Sequence, residues 1–386
     1  MLHKYYQFIM NIGFDAKRAI QNNTGLGNYS RYVIEILSRF YEGNGYFLYA
    51  PKNRKNPRLE AIQTRKTVFF RFPVSIWKRF SSLWRTFGVK EDLKKDQITV
   101  FHGLSNELPI HIKRTGIPTV VSIHDLIFLR YPGFYPPIDR WIYKLKFRHA
   151  CRVADRIIAV SECTKRDIIS SFGAPEEKIK VVYQSCHSSF KEILSPDMKE
   201  NVRREYSLPA QYLLYVGTIE NRKNLLLIVK ALKYLDIDIH LVAVGKKTRY
   251  QTVVEKYVME HHLSTRVHFH HHVSFKHLPA FYQLAQIFIL PSYYEGFGIP
   301  VIEALTSGTP VIAATGSCLE EAGGEHSIYI DPDNETMLAD KINWILNDTT
   351  LANQMSEEGK KYVERFSDEN IAKDFMAIYK EVTHLI

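Results

Sequence analysis

The chain has 386 residues, of which 45% are hydrophobic and 24% charged, an ordinary globular composition long enough for two domains with ample cores. No apolar run approaches the roughly 18 residues needed to span a bilayer, and the charged, broken start MLHKYYQFIMNIGFDAKRA reads as a first strand rather than a signal peptide. Cys151, Cys163, Cys186 and Cys318 are scattered without a C-x-x-C pair, which excludes a disulfide framework and favours a reducing cytoplasm with four small buried hydrophobes.

Charge divides the chain. Residues 1–190 hold 31 Lys and Arg against 15 Asp and Glu, a balance of +16, while 191–386 hold 20 against 26, a balance of −6. A cationic first half predicts an anionic partner, either nucleic acid or a phospholipid surface.

In chain order, Phe8 to Asp15 read as a buried parallel strand, followed by a polar loop through Gly25, Leu26 and Gly27 and an amphipathic helix carrying Tyr32, Val33, Ile36 and Leu37. Residues 51–90 hold 11 basic residues against Glu60 alone. Within them Ile76, Trp77, Phe80, Leu83, Trp84 and Phe87 recur at helical spacing beside Lys78 and Arg79. That composition suits either an interfacial membrane helix or a helix packed on a sheet. Ile98–Phe101 and Thr119–Ile123 are the next strands, with His102 and His124 at their carboxyl ends, where an α/β domain places its chemistry. Strands at 156–160 and 179–183, with helices at 139–153 and 162–172, complete a first domain. Residues 185–206 lose periodicity and read as a hinge ending in a charged helix.

A second domain opens with strand Tyr212–Val216. Gly217, Thr218 and the pair Arg222 and Lys223 then lead into a helix at 225–235, gathering cations and free N–H groups at one point, as a diphosphate requires. Val267–Val273 holds His268, His270, His271 and His272. Alternation splits them between two faces and no acidic partner follows, so no metal site is assigned. Ile287–Leu290 is a short apolar strand ended by Pro291, after which the chain turns through Glu295, Gly296, Phe297 and Gly298 into a helix with Pro300 in its first turn and Gly308 at its stop. Such a strand–glycine turn–helix presents free N–H groups and a positive dipole end to an anion. Glu295 and Glu303 flank this seat and can each accept paired hydrogen bonds from vicinal hydroxyls, as a sugar or ribose offers. Strands Val311–Ala314 and Ile328–Ile330 and helices over 334–386 finish the chain.

The stretch EGFGIPVIE at 295–303 resembles the donor-site motif of glycosyltransferase family 4, the retaining "group 1" transferases of the GT-B fold. GLGNY at 25–29, SIHDLIFLRYP at 122–132, IIAVSECTKRDI at 157–168 and YVGTIENRKN at 215–224 follow the same family in the same order. The resemblance implies two Rossmann-like doubly wound domains, 1–190 for the acceptor and 191–366 for the nucleotide sugar. They would face a central cleft, with a helix from 367–386 returning to the first. It implies that Arg222 and Lys223 bind the donor diphosphate, with Gly25 and Gly27 opposite it and Gly217, Thr218, Phe297, Gly298 and Ile299 around it. Asn221 stands where a proline is frequent and Thr218 where some relatives carry an arginine. Glu295 would hold sugar hydroxyls, Glu303 the ribose diol, and His124 the transferred sugar near its anomeric carbon. His102, Asp125 and Arg130 are assigned to the acceptor side. No cofactor and no metal is implied beyond the donor, GDP-mannose first and a UDP-hexose second, because the wording resembles bacterial mannosyltransferases of polysaccharide assembly. The acceptor is a glycan or lipid-linked glycan, met in the cytoplasm or at the inner face of an anionic membrane that Trp77, Lys78, Arg79, Phe80 and Trp84 would touch. An epimerase or phosphorylase on the same scaffold, and a basic nucleic-acid-binding protein, are the alternatives; the ordered motifs outweigh the charge, so no nucleic-acid partner is assigned.

Overall fold

The structure is a computed structural model describing residues 9–235 and 238–385. The chain divides into two compact units, one made of Met1–Gln184 with Asp368–Ile386 and the other of Ser185–Ser367.

The first unit is built on seven parallel strands: β1 (Asn11–Asp15), β2 (Gly45–Tyr49), β3 (Val68–Arg71), β4 (Val100–Gly103), β5 (Thr119–Ile123), β6 (Arg156–Ala159) and β7 (Ile179–Val181). Their order is β3-β2-β1-β4-β5-β6-β7, with Ile12 opposite both Tyr46 and Val100. Near-continuous apolar runs such as TVVSI in β5 are buried on both faces, as helices on either side of a parallel sheet require. The Phe8 end of the expected first strand lies outside the described residues.

The second unit holds six parallel strands: β8 (Tyr212–Val216), β9 (His240–Val244), β10 (Val267–His270), β11 (Ile287–Leu290), β12 (Val311–Ala314) and β13 (Ile328–Ile330). Their order β10-β9-β8-β11-β12-β13 is that of a Rossmann sheet, reversing direction between β8 and β11. Leu213 faces Ile287 across that reversal. The crevice beyond the carboxyl ends of two such strands is where doubly wound sheets bind ligands.

Strands β2, β3 and β9 add to those read from sequence. β3 lies inside the basic segment 51–90, which is therefore not one amphipathic helix. Its second half is a series of short turns, Ser75–Lys78, Ser81–Leu83 and Trp84–Gly88, running into helix Val89–Lys95. Helical spacing was present because these turns wind like a helix, and two of the aromatics face the core. Trp84 is fully buried, its indole N–H donating to Asp92 Oδ2 at 2.7 Å, and Trp77 packs on the same core. Phe80, Lys78 and Arg79 remain exposed, as do Ile76 and Leu83. Trp77 and Trp84 are thus removed from the expected membrane face.

The loop expected at Gly25–Gly27 is already the first turn of helix Gly25–Phe40. A side chain at Gly27 would place its Cβ 1.9 Å from the Asn22 carbonyl oxygen, so only glycine lets the helix start so close to the preceding turn. The buried Arg31 fastens the same turn by donating to the carbonyls of Ala19 and Asn22. Helix Asp368–Thr383 belongs to the first unit, where Asp368 pairs with Arg39 at 2.5 Å and Glu381 with Arg156 at 2.7 Å.

Candidate active site

At the reversal point of the second sheet, the loop after β8 meets the loop after β11. The Tyr293 amide donates to the Arg222 carbonyl at 2.9 Å, and the Arg222 guanidinium donates back to the Tyr294 carbonyl. This exchange fixes two side chains against one carboxylate. Glu295 Oε2 lies 3.0 Å from Arg222 Nη1, and Glu295 Oε1 accepts from Lys223 Nζ at 2.7 Å and from Ser292 Oγ at 2.9 Å. Burial alone would push the Glu295 carboxyl up. The two cations more than offset it and hold the group down at about 2, so it is ionised across the physiological range. Glu220 adds a second carboxylate for Arg222 at 2.7 Å, a residue the sequence pattern did not single out.

Arg222 and Lys223 sit in a single turn, Asn221–Lys223, ahead of helix Leu225–Ala231, and Gly217 faces the Lys223 stem. Lys223 carries three N–H donors and spends one on Glu295, with no other partner among the described residues. Three residues beyond Glu295, Gly298 caps helix Ile299–Thr306 at φ 118°, a conformation that favours glycine. The amides of Gly298 and Ile299 donate no hydrogen bond among the described residues. Phe297 is buried against Phe366, and the buried Cys318 thiol lies 3.0 Å from the carbonyl oxygens of both Glu295 and Phe297, bracing the turn from behind. Thr218 gives its carbonyl to the Tyr215 hydroxyl at 3.0 Å.

Glu303 stands apart from this ion cluster. Its Oε2 accepts from the Tyr282 hydroxyl at 2.8 Å, and burial raises its carboxyl to about 7 even though that hydrogen bond acts in the opposite direction. Unlike Glu295, it has no cationic partner among the described residues.

In the first unit, His124 follows β5 and is 7% exposed. Its Nε2 lies 2.9 Å from the Leu104 carbonyl, so Nε2 carries the hydrogen and Nδ1 presents a lone pair. Burial holds its pKa down at about 4, leaving the ring neutral at pH 7. Its ring stands edge-on to Tyr29 at 4.4 Å. His102 corrects the acceptor-side expectation: it is fully buried, with Nδ1 2.7 Å from the Tyr379 hydroxyl and Nε2 2.8 Å from Ser122 Oγ, both inside the core. Arg130 is turned toward helix Glu162–Phe172, pairing with the buried Asp167 at 2.9 Å, and Asp125 accepts from the Ile127 amide at 3.2 Å. On β10 His268 pairs with His240 at 2.9 Å, and just past it His271 meets the Gly245 carbonyl at 2.8 Å, so these two of the four histidines are hydrogen-bonded within the fold.

The family described as "Glycosyl transferases group 1" matches residues 198–362, and "Glycosyltransferase Family 4" matches residues 24–186. The chain belongs to the family 4, group 1 glycosyltransferases. Two similar proteins are the O-antigen chain mannosyltransferase B of Escherichia coli and the O-antigen chain mannosyltransferase RfbU of Salmonella typhimurium. The first is 28% identical over 73% of this chain and 74% of that protein, the second 31% identical over 56% and 57%. Among solved structures, Anabaena HepE in complex with UDP-glucose superposes with a TM-score of 0.75 at 16% identity, covering 96% of this chain and all of that one. The fold of this glycosyltransferase is accordingly GT-B. No helix among the described residues is long and apolar enough to cross a membrane.

Proposed function

We propose that this glycosyltransferase moves a hexose, mannose first, from a nucleotide-sugar donor to a glycan or lipid-linked acceptor in bacterial surface polysaccharide assembly, with retention at the anomeric carbon. GDP-mannose is the leading donor and a UDP-hexose the second. The names of the two relatives support mannose and O-antigen chains, and the HepE complex supports a nucleoside-diphosphate sugar.

The observation that carries the reading is that, among the described residues, Lys223 keeps two N–H donors without an acceptor, and the amides of Gly298 and Ile299, three and four residues past the Glu295 that Lys223 holds, have none either. Donors already fixed in place cost little reorganisation when negative charge gathers on a departing diphosphate. In this reading Arg222 and Lys223 neutralise the leaving group and Glu295, pinned by both, accepts hydroxyl hydrogens from the sugar. Gly217, Thr218 and Phe297 shape the seat, and Gly25 and Gly27 approach the diphosphate from the helix start they form. Glu303 accepts from the ribose diol, and His124 offers Nδ1 to a sugar hydroxyl. The leaving phosphate oxygen takes the acceptor proton, so the cationic pair serves where other transferases use a divalent metal. The enzyme works in the cytoplasm, in peripheral contact with an anionic membrane.

A thermal-shift panel of GDP, UDP and dTDP with their sugars identifies the donor, with GDP and GDP-mannose expected to stabilise most. Lys223→Ala should then reduce kcat/KM by roughly tenfold or more, about 1.4 kcal/mol of transition-state binding. A near-native rate from the folded variant would contradict the assignment.

A further inference from the structure

Where the loops after β8 and β11 meet, Arg222 and Lys223 stand against Glu220 and Glu295, and the four charges cancel. The two carboxylates are held very differently. The Glu295 side chain is 13% exposed and is engaged by Arg222, Lys223 and Ser292, so moving it would strand three donors at once. The Glu220 side chain is 39% exposed and engages a single donor among the described residues, Arg222 Nη2 at 2.7 Å. One contact to a partly exposed carboxylate is given up at little cost, because water takes its place.

The backbone brings Glu220 to this point and leaves its side chain free to turn away. Upstream, the Ile219 amide donates to the Lys246 carbonyl at 3.1 Å and the Thr248 hydroxyl donates to the Ile219 carbonyl, so the loop after β9 clamps the chain one residue before Glu220. Downstream, the Lys223 amide donates to the Glu220 carbonyl at 3.0 Å and closes the turn that carries both cations. Glu220 itself is extended, at φ −136° and ψ 156°, and its side chain caps none of the amides of that turn. Arg222 Nη2 can therefore face either Glu220 or an incoming oxyanion, while Nη1 stays on Glu295 and the Tyr294 carbonyl. An anion reaching this cluster meets no net charge as long as Glu220 is in place. Two cations with one carboxylate would hold a diphosphate more tightly and release it more slowly.

We propose that Glu220 is the exchangeable partner of Arg222. It yields the guanidinium to the diphosphate when nucleotide binds and reclaims it afterwards, hastening departure of the nucleoside diphosphate once the sugar has been transferred. The assignment rests on the transferase reading and adds to it a positioning residue that acts through Arg222. The sign of its effect separates this role from a structural one: damage to the loop weakens diphosphate binding, whereas neutralising a competitor strengthens it.

The test compares the full chain with Glu220→Gln, an isosteric change at a partly exposed position. In calorimetry at low salt the variant should bind inorganic pyrophosphate, and whichever of GDP and UDP the parent binds, about fivefold more tightly, with the gap narrowing as ionic strength rises. Guanosine and uridine, which lack the phosphates, should not distinguish the two proteins. In stopped flow, release of N-methylanthraniloyl GDP or UDP should slow by a similar factor. Glu220→Asp keeps the charge and should stay near the parent in both measurements. Unchanged or weaker pyrophosphate binding by Glu220→Gln would overturn the proposal, as would failure of parent and variant alike to bind pyrophosphate. So would a Glu220→Asp variant that binds as tightly as Glu220→Gln, since length rather than charge would then be at work. Tighter pyrophosphate binding with no response to any nucleoside diphosphate would remove the transferase reading and leave the exchange at Arg222 standing.

Discussion

Glu303 gives the sharpest physical test. Its carboxyl is raised to about 7 against an ordinary value near 4.5, burial being the larger influence and the Tyr282 hydroxyl the lesser, opposed one. Between pH 4.5 and 7 the unfolded chain has released this proton and the folded chain has kept it, so stability falls as pH rises across that window. At roughly 1.4 kcal/mol per pH unit the loss reaches about 3 kcal/mol and is complete above pH 7. Glu303→Gln keeps an oxygen for the 2.8 Å bond from Tyr282 but cannot ionise. The variant should match the parent at pH 5 and exceed it at pH 8 by about 6 °C in the calorimetric Tm of the second unit. A Tm difference that does not change between pH 5 and pH 8 would refute the argument. On the proposed ribose role of Glu303, a carboxylate would accept from both hydroxyls of the diol, so donor affinity should strengthen as pH rises through 7, and Glu303→Gln should bind weakly at every pH.

Three further outcomes follow from the geometry. Glu295→Ala leaves Arg222 without one acceptor and Lys223 without the one it has among the described residues, so the apo protein should lose about 3 kcal/mol. GDP or UDP should then raise its Tm by more than the parent's, and an equal rise in scanning calorimetry would argue against a diphosphate at this pair. Replacing Gly298 by Ala strains a φ of 118° and drives Cβ to 2.9 Å from Leu319, which should weaken nucleotide binding by tenfold or more in a thermal-shift titration; unchanged affinity would separate the helix start from the site. Ile76→Ser with Phe80→Ser should reduce sedimentation with phosphatidylglycerol liposomes without altering Tm, whereas Trp84→Ser should unfold the first unit. Sedimentation indifferent to the pair would end the membrane reading of that edge.

The alternating strand and helix plan was legible because parallel strands are short apolar runs. The exceptions are β2, β3 and β9, which begin with or sit among Gly45, Arg71 and His240, where tertiary pairing outweighs a weak local pattern. The Glu295 cluster was legible as three residue types in two loops, since β8 and β11 are both followed by glycine turns, but that all three would join one ion cluster depends on the strand order. Trp77 and Trp84 misled for a definite reason. Aromatics beside basic residues look the same from sequence whether they face lipid or core, and only the Trp84 bond to Asp92 tells them apart. In the first unit an ion bridge from Arg85 to Asp15 and Glu107 spans separations of 70 and 22 residues, with no local signal except an acid at the end of β1.

His102 is satisfied by Tyr379, a residue 277 positions later in the chain. As the polypeptide leaves the ribosome, the unit at 185–367 emerges whole and can consolidate at once, while the earlier unit must wait, with one nitrogen of His102 unpaired in its centre, until helix Asp368–Thr383 appears. Deleting residues 368–385 would therefore injure the half made first.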